Sequence, residues 1–179
     1  MRKLRNEVLI TMILAAALTR LIPHPPNFAP IGALALFGGA QFADKRAAFL
    51  LPLLAMLCSD LVIGFYVHME WVYGSFTLIT CIGLWLRSHR TTRGIAGASL
   101  TASTLFFLIT NFGVWANGTT TYARDLSGLM ACYVAAIPFF GNTFMGDGFY
   151  CLVLFGGLAL LEKRFMILRE PALPSAVMR

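Results

Sequence analysis

The chain has 179 residues, 58% of them hydrophobic and only 12% charged, against about 25% charged in an ordinary soluble domain. With 15 Phe residues and a mean hydropathy of +0.75, it carries more apolar surface than a soluble domain of this length can bury. That excludes a soluble globular enzyme, a disordered chain and a disulfide-stapled secreted module, and leaves an integral membrane protein. The formal net charge of +6 does not point to nucleic acid, because the basic residues sit at the ends of apolar runs, where they set membrane orientation. The four cysteines (Cys58, Cys81, Cys132, Cys151) all lie inside apolar stretches, without the C-x-x-C spacing of a zinc or redox site.

In chain order, residues 7–22 form the first apolar run, after Arg2, Lys3 and Arg5. Ala15-Ala16-Ala17 imitates the cleavage region of a secretory signal, but everything downstream is equally membrane-like, so the run reads as a first membrane helix. Pro23-His24-Pro25-Pro26-Asn27-Phe28-Ala29-Pro30 follows, and its prolines stop any helix. Residues 31–43 are short for a span of about 20 residues and cross only if their N-terminal end is recessed in protein. Residues 46–66, 71–88 and 94–116 are full-length runs, the last with Gly94, Ala98 and Ala102 as a ridge for close helix contact. Residues 126–140 are short and interrupted by Pro138, which predicts a helix lying at the interface, and 141–161 form the last full-length run. Six crossings put 12 of the 14 basic residues inside and leave Arg20 and Arg124 outside. A seventh crossing would export the basic C-terminal tail. The expected architecture is therefore an all-α integral membrane bundle: a single domain over 1–179 of six transmembrane helices with an additional short interfacial helix and both termini cytoplasmic. No internal repeat is visible.

Polar residues are distributed on one side. Asp60 and Tyr66 fall toward the outer end of helix three, Asn111 and Trp115 toward that of helix five, and Asn142, Asp147 and Tyr150 open helix six. His24 and Asn27 sit in the outer proline-rich loop. The inner stretches 47–55, 82–86 and 152–161 hold no charged or amide side chain. Ionisable groups in hydrocarbon mark cavities or pathways. A channel needs polar lining through both halves, so a bowl open to one side predicts a binding site. The plainer alternative is that Asp60 and Asp147 satisfy backbone groups or Arg20 near helix ends. Cys81 lies about 15 Å along helix four at 1.5 Å per residue, on the same face as Thr77 and beyond Gly74, and a thiolate at the floor of the bowl suits a soft or borderline metal. Cys151 shares a face with Asp147, and position alone does not separate the two cysteines.

Several motifs fail. Residues 141–148 imitate a phosphate loop but lack its Lys-Ser/Thr, so the chain has no ATP site. His24, His68 and His89 are too scattered for a histidine metal site, and Asn117-Gly118-Thr119 is only a short match to a glycosylation sequon.

Three blocks carry a family likeness: Arg20-Leu21-Ile22-Pro23-His24-Pro25-Pro26-Asn27-Phe28-Ala29-Pro30, Asn111-Phe112-Gly113-Val114-Trp115-Ala116, and residues 132–140 with Asn142-Thr143. With the helix pattern they cover most of the chain. The sequence resembles the substrate-binding S-components of energy-coupling factor (ECF) vitamin transporters of the bacterial inner membrane, and within them the cobalamin-specific BtuM-type proteins. The resemblance implies a six-helix protein that takes up cobalamin or a related corrinoid from the periplasmic side. It implies a membrane cysteine as axial ligand of the cobalt, matched here to Cys81 rather than Cys151. A thiolate ligand would loosen the opposite axial ligand, so loss of cyanide from the bound corrinoid is expected to accompany binding by a protein that is otherwise expected to be a transporter, not an enzyme. Many S-components dock their energising ECF module through Ala-x-x-x-Ala on helix one. Here only Ala15-x-x-x-Thr19 is present, which sets that partnership in doubt. Two other readings compete: an S-component-like transporter of a metal-free vitamin or small metabolite, with Cys81 a core residue, and a membrane-embedded enzyme on lipid-like substrates using Asp60 with Asp147.

Overall fold

The computed structural model describes residues 2–118 and 121–169; Thr119 of the sequon and Arg179 of the C-terminal tail lie outside them. Six helices, with no strand among the described residues, follow the apolar runs with shifted ends: α1 (Arg2–Leu18), α2 (Ile31–Gln41), α3 (Lys45–Ile63), α4 (Met69–Leu86), α5 (Thr92–Ala116) and α6 (Leu126–Arg164). Four of these, α3 to α6, are long and apolar enough to cross a membrane.

The separate interfacial helix expected over 126–140 does not exist as an element. Residues 126–140 and 141–161 belong to one helix of 39 residues, with Pro138 inside it and a π turn at Leu152–Gly156. A proline costs a helix one hydrogen bond, which neighbouring helices compensate in an apolar bundle. Here α5 supplies that support as an antiparallel partner. The Tyr133 hydroxyl donates to the Leu108 carbonyl at 2.7 Å, Cys132 Sγ approaches the Asn111 carbonyl at 3.4 Å, and the Phe107 and Phe140 rings lie 5.1 Å apart. At 1.5 Å per residue α6 is about 58 Å long, beyond the roughly 40–45 Å of a whole bilayer.

α2 is the centre of the bundle. All its residues except Ile31 are buried, its N-terminus is recessed in protein behind the buried Pro30, and α1, α3, α4, α5 and α6 all contact it. Its 11 residues span only about 16 Å. Its closest neighbour is α4, whose inward face is Ser75, Phe76, Ile79, Thr80 and Gly83. The two backbones nearly touch: a Cβ on Gly39 would come within 2.5 Å of the Thr80 carbonyl oxygen and 2.8 Å of the Gly83 Cα. On α5, Ala98 and Ala102 face the core as the ridge predicted, whereas Gly94 serves the turn before α5, with the His89 carbonyl where a Cβ would stand.

The C-terminal end of α2 collects cations. Arg5, buried in α1, donates to the Gln41 carbonyl at 2.9 Å, to Gln41 Oε1 at 2.8 Å and to the Leu168 carbonyl at 3.1 Å. Arg87 donates to the Gly39 carbonyl at 3.1 Å and to that of Phe42. The first turns of α1 and the residues after α6 thus meet at one end of the bundle, with Lys45, Arg46 and Arg93 at the starts of neighbouring helices and Arg90 in the turn between α4 and α5.

Because nothing at the α2–α4 crossing can yield, Gly39→Leu is expected to cost at least the 1–3 kcal/mol of an overpacked core. Gly97→Ala, exposed and with open space around it, is expected to gain up to about 1 kcal/mol from helix propensity. Thermal unfolding in detergent measures both, and equal shifts would overturn this account of the packing.

Candidate functional site

At the end of the bundle opposite the cationic one, a cavity of about 290 Å³ is lined by Arg20, His24, Asn27, Tyr66, Val72, Phe106, Thr143 and Asp147, with the start of α2 as its floor. The proline-rich loop forms its rim. Asn27 closes the turn there with φ of +62°, a left-handed conformation that Asn tolerates better than most residues. Asn142 of α6 donates to the Pro26 carbonyl at 2.9 Å, and Phe28 packs on the Phe149 and Tyr150 rings, so α6 holds the loop in place. The Tyr150 hydroxyl lies 2.8 Å from Thr19 Oγ1, fixing the end of α1.

Asp147 is buried in the cavity floor, where it accepts from the Ala33 amide at 3.2 Å and the Ser103 hydroxyl at 2.7 Å, with the Gly32 amide also directed at it. Free amides and the positive end of the helix dipole make a helix start a favourable place for a carboxylate. Gly32 makes the approach possible, because a Cβ there would stand 2.6 Å from Asp147 Oδ2.

Behind the wall, reached through Arg20, lies a second buried carboxylate, already paired. Asp60 Oδ1 lies 2.7 Å from Arg20 Nη2, with the side chains 0% and 8% exposed, and Asp60 Oδ2 accepts from the Tyr73 hydroxyl at 2.7 Å. Ser59 also bonds Arg20. In the loop above, burial and the negative charge of Asp60 push the Tyr66 hydroxyl up to about 12.

His24, Asn27, Tyr66 and Asp147 therefore share one hollow, with Asp60 one layer behind it through Arg20. Asn142 and Tyr150 brace the rim. Asn111 and Trp115 stand apart: Asn111 donates to the Phe107 carbonyl at 2.8 Å, and the Trp115 indole donates to the Ala123 carbonyl at 3.0 Å. Cys81 is not at the floor of the hollow. It is exposed on the outer face of α4 beside Thr77, whose hydroxyl is spent on the Tyr73 carbonyl. The inward face is set by the α2 crossing at Gly83 and Thr80, and one residue on from Thr80 is about 100° around the helix. Cys151 is buried between α5 and α6 and does not line the cavity either. Among the described residues no group of three His, Cys, Asp or Glu side chains is placed to hold a metal ion. The plainer alternative for the carboxylates describes their bonding: Asp60 takes Arg20, and Asp147 takes the backbone of α2. Only Asp147 also faces the hollow.

Sequence reasoning missed Arg20 as a wall residue, together with Ser103, Thr143 and Gly32. Arg20 had a signal, being a cation on the outer side with a lone Asp in another run; the other three had none.

Removing one member of the buried pair is expected to be far worse than removing both. Arg20→Met or Asp60→Leu alone should cost about 3–5 kcal/mol, and the double variant much less than the sum; additive losses in denaturation would refute the pairing. Asp60→Asn is expected to bring the Tyr66 hydroxyl down toward its usual value of about 10, read as tyrosinate absorbance absent in Tyr66→Phe. The sign follows from a raised acid: the folded protein favours the Tyr66 proton, so its contribution to stability is complete below about pH 10 and fades as pH rises toward about 12.

No curated protein and no solved structure matches the chain. A family model described as a family of unknown function, DUF6580, matches residues 2–173. The chain, matched over nearly its whole length, belongs to the DUF6580 family.

Proposed function

We propose that this protein is a substrate-binding membrane transport protein that captures a small molecule at the end carrying the proline-rich loop. In this reading all six helices cross the membrane, with the short α2 crossing by its recess, and the cationic end faces the cytoplasm of a bacterial inner membrane. The observation that carries it is the one-sided cavity: polar groups converge on a hollow whose floor is the recessed start of α2, and the apolar packing of α2 closes the way through. Half-helix ends aimed at a cavity are a recurring device for holding solutes inside membrane proteins.

The ligand class rests on the resemblance to S-components, which supports cobalamin or a related corrinoid as cargo with Cys81 on its cobalt. Two observations favour the smaller-ligand alternative within the same reading. The cavity, about 290 Å³, sits at the low end of small-molecule sites, roughly 300–1,000 Å³. Cys81 lies outside it, so axial ligation requires α4 to turn about its axis.

Purified protein decides between them. With cyanocobalamin, wild type is expected to co-purify coloured, show a shifted corrin spectrum, and rescue growth of a strain that depends on external vitamin; Cys81→Ala should lose the shift. At a hundredfold excess over Kd a true ligand adds about 2.7 kcal/mol of stability, visible as a rise in Tm. Stabilisation by a metal-free vitamin with no response to corrinoid would select the smaller ligand, and no response to either class would overturn the proposal. Filling the floor with Gly32→Val, or using Asp147→Asn, should remove whichever response wild type gives.

A further inference from the structure

The two buried acids are neutralised differently. Asp60 has the Arg20 guanidinium at 2.7 Å. Asp147, 1% exposed, has no cation in ion-pair contact among the described residues. Arg20, His24 and Tyr66 share the hollow with it, and Cys151 lies one turn on in α6, but none of them bonds it. The helices packed around it bring no other titratable group: α2 offers the Gly32 and Ala33 amides, α5 the Ser103 hydroxyl, and α3 and α4 the apolar Ile63 and Val72. The start of α2 supplies about half an elementary charge, so an ionised Asp147 leaves the remainder facing the hollow.

The bonding of its second oxygen shows where a proton fits. The buried Ser103 hydroxyl stands 2.7 Å from Asp147 Oδ2 and 3.1 Å from the Ser99 carbonyl, and both are acceptors when Asp147 is ionised. A serine has one hydroxyl hydrogen, so one of the two contacts then goes without. A proton on Oδ2 removes the conflict: Asp147 donates to Ser103 Oγ, and Ser103 donates to the Ser99 carbonyl. Oδ1 keeps the Ala33 amide, at 3.2 Å, in either state. The hold on α2 therefore survives protonation, and what changes is the direction of one short hydrogen-bonded chain.

We propose that Asp147 is a proton-carrying site, and that capture of a ligand in the hollow takes up one proton from the loop side onto Asp147 Oδ2. A ligand that fills the hollow displaces the water facing the carboxylate, and an ionised acid without a cation is costly there. The proton forms the Oδ2–H bond, and that hydrogen then bonds Ser103. The apolar packing of α2 closes the way through, so the proton is not conducted: it travels with its ligand as a cotransported ion. The coupling rests on the capture proposed above; the proton site itself does not.

Two measurements on the full chain in detergent test the two parts separately. Infrared difference spectra between high and low pH, with no ligand added, should contain a protonated-carboxyl C=O band that is missing from Asp147→Asn and displaced in Ser103→Ala, where its partner is gone. Matching spectra of wild type and Asp147→Asn would overturn the proton site. Calorimetric titration with cyanocobalamin and with nicotinamide, in two buffers of different ionisation enthalpy, counts protons; neither probe titrates near neutral pH, so any proton belongs to the protein. One proton taken up per probe bound is expected, with Kd rising about tenfold per pH unit on the alkaline side. Binding with no proton taken up, or with one released, would overturn the coupling and leave the capture standing. If neither probe binds, the coupling falls with the capture, and the infrared comparison still decides the proton site. The wild-type proton count needs no variant, so the test holds if one of them does not fold.

Discussion

The structure depends on a helix too short to reach either surface, whose two ends are satisfied by side chains of other helices. α2 sits inside the bundle, where a bare helix end leaves amides or carbonyls without water. Asp147 of α6 takes the amides at its start, and Arg5 of α1 with Arg87, just after α4, takes the carbonyls at its finish. Each charge sits where the helix dipole favours its sign. Four helices are thereby fixed to one another through a central element that makes no surface of its own.

The cavity follows from that arrangement. A full-length α2 would occupy the space where the proline-rich loop descends, so the hollow is the missing half of a span, lined by what that loop and its neighbours bring. The Arg20–Asp60 pair makes the wall next to it tolerable, since each charge removes the cost of burying the other. Asp147 has a double position, structural toward α2 and exposed to whatever enters. A ligand therefore competes with, or adds to, the same carboxylate that holds the central helix.

Much of this was legible in the residues. Composition announced a helical membrane bundle, the prolines of residues 23–30 announced the break before α2, and the shortness of 31–43 announced a recess. Asp60 and Asp147 stood out because isolated acids in apolar runs are costly. What stayed hidden was azimuth. In a soluble helix the polar face shows which way is out, but on α4 both faces are apolar or small, so Thr77 and Cys81 read as inward when the Gly83 crossing turns them outward. Pro138 misled for a related reason: in water it ends a helix, whereas against α5 the helix continues through it. Arg20, a lone cation on the same outer side as Asp60, could be read as its partner, but nothing in one dimension placed its guanidinium in the wall of the hollow.

The length of α6 has a mechanical consequence. In a bilayer, a straight rod of that extent would lean about 40° to keep both tips within the headgroup layers, at the edge of the tilts seen for membrane helices. Pro138, where the backbone ladder is already broken, is the natural point for it to bend instead. The half of the rod beyond that bend carries Asn142 and, through it, the rim of the hollow. A bend there, set by the thickness of the bilayer, would therefore carry the rim with it.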